Sequence, residues 1–245
     1  DSGLISFDFP SSISRLLPFT FCSCRYLNSI SLPESLTAIE NGAFQSCISL
    51  PKISIPNTVT SIGNNAFSSC QLMPNFIIPY GVTNIGSNAF SSCTSMKSIF
   101  LPESILSIGP SAFYSCTKLI SVIIPKKVTC IQYNTFYKCT NLINVTIPGS
   151  VTRIEYNAFR ECKSLPSLII PNNVTYIGSS AFQNCQNLGS ITLSKKLTSL
   201  GEYSFYDCSS LVSIVIPDGV TKLYQYTFKG CSNLNFVTLP ENLNT

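Results

Sequence analysis

The sequence predicts a single repeat solenoid, which is a stack of short coils whose strands form a parallel β-sheet. Three observations lead to this prediction. A proline recurs at intervals of 23 residues, a phenylalanine stands eleven residues after each of these positions, and a cysteine stands fourteen residues after it. A fixed period of roughly 20–50 residues is typical of repeat proteins, because one such unit cannot bury a core by itself.

The register of the repeat is uninterrupted along the chain. Only Ser194 replaces the proline, and no insertion separates one unit from the next. The prolines are Pro10, Pro33, Pro56, Pro79, Pro102, Pro125, Pro148, Pro171, Pro217 and Pro240; the phenylalanines run from Phe21 to Phe228, and the cysteines from Cys24 to Cys231. We therefore predict one domain over residues 1–245, with ten 23-residue repeats and the start of an eleventh. We expect open apolar edges at both ends, which indicate either a longer parent protein or a partner that covers the ends.

The residue pattern of each 23-residue unit predicts one strand and one turn. The segment Ile53-Ser54-Ile55-Pro56 alternates apolar and variable residues, which is the period of a strand, and its proline must lie at the strand end. The run Ala-Phe-x-x-Cys-x-x-Leu over residues 43–50 has apolar residues three or four apart. This spacing predicts a short helical or 3-10 turn on the side of the coil away from the sheet.

The composition excludes several classes of function. Hydrophobic residues make up 44% and charged residues 11% of the chain, which favours a large core over disorder. The chain has no histidine, so Ser-His-Asp triads, Cys-His dyads and histidine-ligated metal sites are excluded. The net charge of +4 is too small to indicate nucleic-acid binding, and no apolar stretch has the length of a membrane helix. We expect no enzyme, no cofactor and no metal.

The ten register cysteines are expected to be buried free thiols. Equivalent cysteines on neighbouring coils would lie about 4.8 Å apart with parallel side chains, whereas a disulfide needs side chains that point at each other. Cys22 and Cys130 lie outside this register, and their redox state is left open. Thiols that behave as small hydrophobic side chains account best for the pattern.

The unit from Ile55 to Cys70, with its Pro-Asn-Thr-Val-Thr-Ser-Ile-Gly-Asn-Asn-Ala-Phe-Ser-Ser-Cys sequence, resembles the BspA-type (Treponema-type) leucine-rich repeat. The resemblance covers nearly the whole chain, although the first repeat has Leu16-Leu17-Pro18-Phe19 in place of the usual Ile-Gly. It implies a leucine-rich-repeat horseshoe with the parallel sheet on its concave face. It also implies a source among bacterial surface proteins or proteins of parasitic protists, and a role in adhesion to host proteins and cells.

Residues that point outward from the predicted sheet vary in type, so they are candidates for partner binding. Four positions before the proline the row is mainly serine, and two positions before it the row contains an apolar run on adjacent coils. Exposed apolar patches mark interaction sites, although β-branched residues also favour strands for their own sake. The predicted partner-binding residues are Ile77, Phe100, Ile123, Ile169, Val215, Lys52 and Asn75.

Tyrosines crowd the later turns and form a second candidate surface, with packing over loops as the alternative interpretation. They are Tyr114, Tyr133, Tyr137, Tyr156, Tyr176, Tyr203, Tyr206, Tyr224 and Tyr226.

The leading hypothesis is a secreted or cell-surface adhesion module that binds a protein or glycan through the concave sheet. The alternative is an intracellular scaffold, cytoplasmic or cytoskeletal, in which twelve unpaired cysteines are at home.

Overall fold

The computed structural model of the chain describes residues 3–10 and 12–244 and shows a solenoid in which all the paired strands are parallel. The predicted solenoid and its parallel sheet are confirmed. Residues 1, 2, 11 and 245, which the single-domain prediction includes, lie outside the described part of the chain.

Two kinds of strand alternate along the described chain, one of three residues and one of two. The strands are β1 (Ser6–Asp8), β2 (Ser29–Ser31), β3 (Ala38–Ile39), β4 (Ser61–Ile62), β5 (Asn75–Ile77), β6 (Asn84–Ile85), β7 (Ser98–Phe100), β8 (Ser107–Ile108), β9 (Ser121–Ile123), β10 (Cys130–Ile131), β11 (Asn144–Thr146), β12 (Arg153–Ile154), β13 (Ser167–Ile169), β14 (Tyr176–Ile177), β15 (Ser190–Thr192), β16 (Ser199–Leu200), β17 (Ser213–Val215) and β18 (Phe236–Thr238).

The three-residue strands form the front sheet, which is the sheet that the sequence predicts. It consists of three hydrogen-bonded segments, β1-β2, β5-β7-β9-β11 and β13-β15-β17-β18. The register is constant at 23 residues, so that Ile77 lies beside Phe100 and Val215 beside Thr238. The strand predicted at Ile53-Ser54-Ile55-Pro56 is not formed, which corrects the prediction for that coil.

Prolines account for the interruptions of the front sheet. In seven coils the residue just before the front strand donates its N–H to the preceding coil, as Ile143 does to the Ile120 carbonyl at 2.9 Å. In the three other coils that residue is Pro51, Pro74 or Pro166, which has no N–H to donate. The sheet is interrupted at these three steps, including the step from β11 to β13.

The two-residue strands form a second sheet, which the sequence analysis did not predict. It has two segments, β3-β4-β6-β8 and β10-β12-β14-β16. A threonine precedes most of these strands, and its backbone and hydroxyl groups both bond to the preceding coil. Thr60, for example, donates its N–H and its Oγ1 hydroxyl to the Thr37 carbonyl, at 2.9 and 3.2 Å.

Ten phenylalanines, one from each coil, stack through the core with adjacent ring centroids 5.3–5.8 Å apart and ring planes within 13° of parallel. The eight from Phe44 to Phe205 are fully buried. Stacked aromatic rings combine a large buried area with a defined geometry, so this ladder fixes the height of every coil.

The turn that holds each phenylalanine differs from the predicted helical or 3-10 turn. The residues two before and two after the phenylalanine have left-handed backbones, for example Asn65 (φ 55°) and Ser69 (φ 61°) around Phe67. A helix does not contain such residues. Instead, successive backbone N–H groups of the turn donate alternately to a carbonyl of the next coil and to a carbonyl of their own coil. Phe67 donates to the Ala89 carbonyl at 2.8 Å, and Cys70 donates to the Phe67 carbonyl at 3.1 Å. The turns therefore form a third ladder between coils.

The register cysteines from Cys24 to Cys208 are buried, as predicted, whereas Cys231 in the last coil is only partly buried. The thiols of this register have a second role that the sequence did not reveal. Each Sγ from Cys47 to Cys231 donates to the phenylalanine carbonyl of the preceding coil, as Cys93 does to Phe67 at 3.2 Å. Burial raises the pKa of the Cys93 and Cys185 thiols from 9.0 to about 12. The thiols are therefore protonated hydrogen-bond donors inside the core.

The two described ends of the solenoid differ, whereas the sequence led us to expect an open edge at both. At the first coil, Phe7 and Phe9 pack edge-on against Phe21 with centroids 5.3 and 5.6 Å away, and Phe21 is buried. At the last coil, Phe228 and Leu234 are only partly buried.

We predict that Phe113→Ala lowers the free energy of unfolding by about 3–5 kcal/mol, because it removes a ring from the middle of the ladder. Urea unfolding followed by circular dichroism measures the change. Ile169→Ala, at a side chain that is 74% exposed, is the control and should change stability by less than about 0.5 kcal/mol. Equal costs for the two substitutions would contradict a structural role for the ladder.

We also predict that stability falls steeply above pH 9. The folded pKa of Cys93 (about 12) lies above its ordinary value of 9.0, so the stabilisation is complete below pH 9 and is lost as the pH rises towards 12. Each such thiol lowers the free energy of unfolding by about 1.4 kcal/mol per pH unit in this window.

Urea titrations at pH 8, 9, 10 and 11 test this expectation. The slope of the free energy of unfolding against pH should become less steep by the contribution of one thiol in Cys93→Ala. It should stay unchanged in Leu119→Ala, which removes no titratable group. A slope that does not respond to Cys93→Ala argues against the buried, protonated thiol.

Candidate binding surface

The predicted partner-binding residues all lie on the outward side of the front sheet or its edge. Within each front strand from β5 to β17 the central residue is buried and its two neighbours are exposed, as Ile99 is between Ser98 and Phe100. The exposed fraction is 73% for Ile77 and 43% for Phe100. Ile123, Ile169, Val215, Lys52 and Asn75 are exposed as well.

Three of these residues form one continuous apolar surface. Ile77 and Phe100 are paired in the strand register, and Ser98 pairs with Ser121, which places Ile123 on the other side of Phe100. Tyr80 completes this surface, because its ring packs edge-on against Phe100 with centroids 5.6 Å apart and planes at 68°. We call Ile77, Tyr80, Phe100 and Ile123 the apolar patch.

Sequence reasoning missed Tyr80 as a member of this surface. The residue directly after the proline is charged, polar or glycine in the other coils, for example Glu103 and Lys126. An aromatic residue at a position that is otherwise hydrophilic was therefore the available signal. The packing of Tyr80 against Phe100 also explains why Phe100 is less exposed than Ile77.

The front sheet has two shallow depressions at the apolar patch. One of ≈ 350 Å³ is lined by Tyr80, Phe100, Glu103 and Ile123. The other, of ≈ 580 Å³, is lined by Lys52, Asn75 and Ile77 and lies at the prolyl interruption of the sheet. The patch residues themselves line these depressions, Tyr80, Phe100 and Ile123 the smaller one and Ile77 the larger.

The structure does not bring all the predicted residues together. Val215 lies four coils beyond Ile123, which is about 19 Å at about 4.8 Å per coil, and it lines a separate groove of ≈ 580 Å³. Ile169 lies between them and lines neither this groove nor the two depressions at the patch. The seven predicted residues therefore belong to at least two separate places on the front sheet.

Positive charge surrounds the apolar patch. Residues 41–152 contain six lysines and a single carboxylate, Glu103. Lys97 and Lys126 are exposed close to β7 and β9, and Lys52 is exposed in the coil that precedes β5. Glu103 accepts a hydrogen bond of 2.9 Å from the backbone N–H of Lys126, so part of its acceptor capacity is already used. The surroundings of the patch favour a negatively charged partner surface.

The tyrosines of the later turns are engaged mainly with one another and with cations. Tyr133 and Tyr156 stack with centroids 4.9 Å apart, and the Arg153 guanidinium lies 4.0 Å from the centroid of Tyr176. Such contacts account for the tyrosines as packing over the turns. The row therefore stays the weaker of the two candidate surfaces.

The described residues contain no group of three or more cysteine, aspartate or glutamate side chains that could hold a metal ion. Among the same residues, none belongs to a helix of the length and apolarity needed to cross a membrane.

The sequence of the chain matches the BspA type Leucine rich repeat region in six copies, over residues 1–72, 37–166 and 152–245. The chain belongs to the BspA-type leucine-rich repeat family. The resemblance noted in the sequence is thereby confirmed, and the stacked thiols, phenylalanines and prolines are features of a BspA-type solenoid. No curated protein has a sequence that matches this chain.

Solved leucine-rich repeat structures have the same fold. A leucine-rich repeat protein from Bacteroides ovatus is 28% identical with a TM-score of 0.72, over 98% of this chain and 74% of its own. A leucine rich cell surface protein from Faecalibacterium prausnitzii is 29% identical with a TM-score of 0.64, over 96% and 79%. The T. pallidum Leucine Rich Repeat protein is 27% identical with a TM-score of 0.61, over 75% and 78%.

Proposed function

We propose that this BspA-type solenoid is a non-catalytic adhesion module that binds an acidic protein surface through the apolar patch of its front sheet. The observation that carries the proposal is the continuous exposed surface of Ile77, Tyr80, Phe100 and Ile123 among lysines. Contiguous apolar patches bordered by polar residues are typical of protein-interaction sites, because their burial releases water from apolar surface.

Tyr80 and Phe100 are expected to contribute most of the binding energy of the patch. Tyrosine and other aromatic residues are enriched among the few interface residues that carry most of the binding energy, and such residues lie in the middle of the contact. Tyr80 and Phe100 already support each other's orientation through their edge-on contact. Little side-chain freedom is therefore lost when a partner covers them, which favours affinity.

The lysines around the patch favour a partner surface with negative charge. Lys52, Lys97 and Lys126 are solvent-exposed, and charges at the rim of an interface act mainly by accelerating encounter and by excluding like-charged partners. An acidic surface that carries apolar side chains fits this arrangement. Binding of such a partner should weaken as the salt concentration rises.

Location at the cell surface or outside the cell is part of the proposal. It is supported by the F. prausnitzii relative, which is described as a cell surface protein. The alternative of an intracellular scaffold was motivated by the unpaired thiols. Because the register thiols from Cys47 to Cys208 are buried and hydrogen-bonded, they are protected from oxidation in either environment, and the thiols do not favour the intracellular alternative.

We predict that the double substitution Phe100→Ala and Ile123→Ala lowers retention of partner proteins at least about 30-fold, as expected for the loss of about 2 kcal/mol at a binding centre. The purified chain is immobilised, exposed to extracts of extracellular matrix and cell surfaces, and the retained proteins are quantified by mass spectrometry. The proteins lost in the variant should be acidic, and they should also be lost from the unaltered chain at high salt.

Ile169→Ala is the control, since it removes an apolar side chain that is 74% exposed, compared with 66% for Ile123, from the same sheet outside the patch. It should retain the same proteins as the unaltered chain. Identical retention by the double variant would overturn the assignment of the patch.

A further inference from the structure

A second groove on the front sheet lies in the later coils, well separated from the apolar patch. It has a volume of ≈ 580 Å³ and is formed by β15, β17, β18 and the residues that follow each of these strands. Its exposed polar lining residues are Ser190, Thr192, Lys195, Ser213, Asp218 and Thr238. We call it the hydroxyl groove. A volume between about 300 and 1,000 Å³ is the range of small-molecule sites.

The hydroxyls of this groove are not used inside the protein. Among the described residues, Ser190, Thr192, Ser213 and Thr238 have no side-chain hydrogen bond within the chain. In the same row as Ser190, by contrast, Ser98 donates to Asn75 Oδ1 at 2.7 Å. The groove therefore offers four hydroxyls that can both donate to and accept from a ligand.

Two charges of opposite sign lie at one edge of the groove. Lys195 and Asp218 occupy equivalent positions on adjacent coils, and within the described chain neither side chain takes part in an ion pair. The backbone N–H of Lys195 donates to Asn172 Oδ1 at 3.3 Å. A carboxylate beside an ammonium adds a strong acceptor and a strong donor but no net charge, which favours an uncharged polar ligand.

The groove also presents apolar surface beside its hydroxyls. Val215 is exposed between Thr192 and Thr238, and Leu239 lines one wall. Phe236 does not itself line the groove, but it is paired with the lining residue Ser213 in the strand register and is 71% exposed, so an exposed aromatic side chain borders the groove.

We propose that the hydroxyl groove binds a neutral oligosaccharide of pyranose sugars. A pyranose has an apolar face of C–H groups, which packs on an aromatic ring such as Phe236, and hydroxyls around its rim. Those hydroxyls donate to the Asp218 carboxylate and accept from Lys195 Nζ, while the serine and threonine hydroxyls complete the contacts. This site is distinct from the apolar patch in location and chemistry, so it extends the proposed function and does not depend on it.

The test uses the whole chain and three defined probes, namely cellohexaose, mannohexaose and N-acetylchitohexaose, in isothermal titration calorimetry. At least one probe should bind with a Kd of about 1 mM or tighter. Asp218→Asn and Phe236→Ala should each weaken that binding at least about tenfold, through the loss of a charged acceptor and of the stacking surface respectively. Thermal unfolding verifies that both variants are folded.

Matched controls are Glu103→Gln and Phe100→Ala, which make the same kinds of change at the apolar patch. They should leave the Kd of the oligosaccharide unchanged, whereas Phe100→Ala should impair protein retention, so the two proposals can fail separately. Absence of binding by all three probes up to about 10 mM would overturn the oligosaccharide site, and so would binding that is unaffected by Asp218→Asn and Phe236→Ala.

Discussion

Backbone hydrogen bonding between coils is the constraint on which the rest of this solenoid depends. Neighbouring coils bond through the phenylalanine turns and, at most steps, also through the front sheet and the second sheet. A coil with one residue more or fewer could satisfy only one of these ladders at a time. The constraint accounts for the strict 23-residue period and for the absence of insertions. It also explains the thiols, since the phenylalanine carbonyls have a second lone pair that Cys70 and its equivalents occupy.

The repeat itself determined how much of the fold was predictable. Prolines, phenylalanines and cysteines at fixed spacing were sufficient for the solenoid, its register and its buried core, because packing places the strongest demands on those positions. The turn was predicted as helical because apolar spacing does not report backbone handedness. Its left-handed residues were indicated only by recurrent Asn and Ser at positions such as Asn65 and Ser69, which tolerate that conformation. The second sheet escaped prediction because two-residue strands leave almost no periodicity.

The candidate site was less predictable than the fold, for a physical reason. Outward positions such as Ile77 and Phe100 could be identified from strand alternation, but their grouping depends on neighbours from other parts of the repeat. Tyr80 belongs to the apolar patch although it lies in the loop after the strand. Val215 lines a separate groove whose other exposed residues are mainly polar. Scaffold residues recur in every coil and can therefore be identified from the sequence. Candidate ligand-binding residues each occur once, so their role depends on which residues lie next to them in the folded chain.

The prolyl interruptions divide the front sheet into separately hydrogen-bonded blocks. From β5 to β11 and from β13 to β18 the front sheet is hydrogen-bonded throughout, and the step at Pro166 joins these two blocks without front-sheet pairing. Across that step the second sheet and the turns stay continuous, since Arg153 pairs with Tyr176 and Phe159 donates to the Ala181 carbonyl at 2.8 Å. The apolar patch and the hydroxyl groove lie on opposite sides of this step, so the strands that carry the two surfaces belong to separate segments of the front sheet.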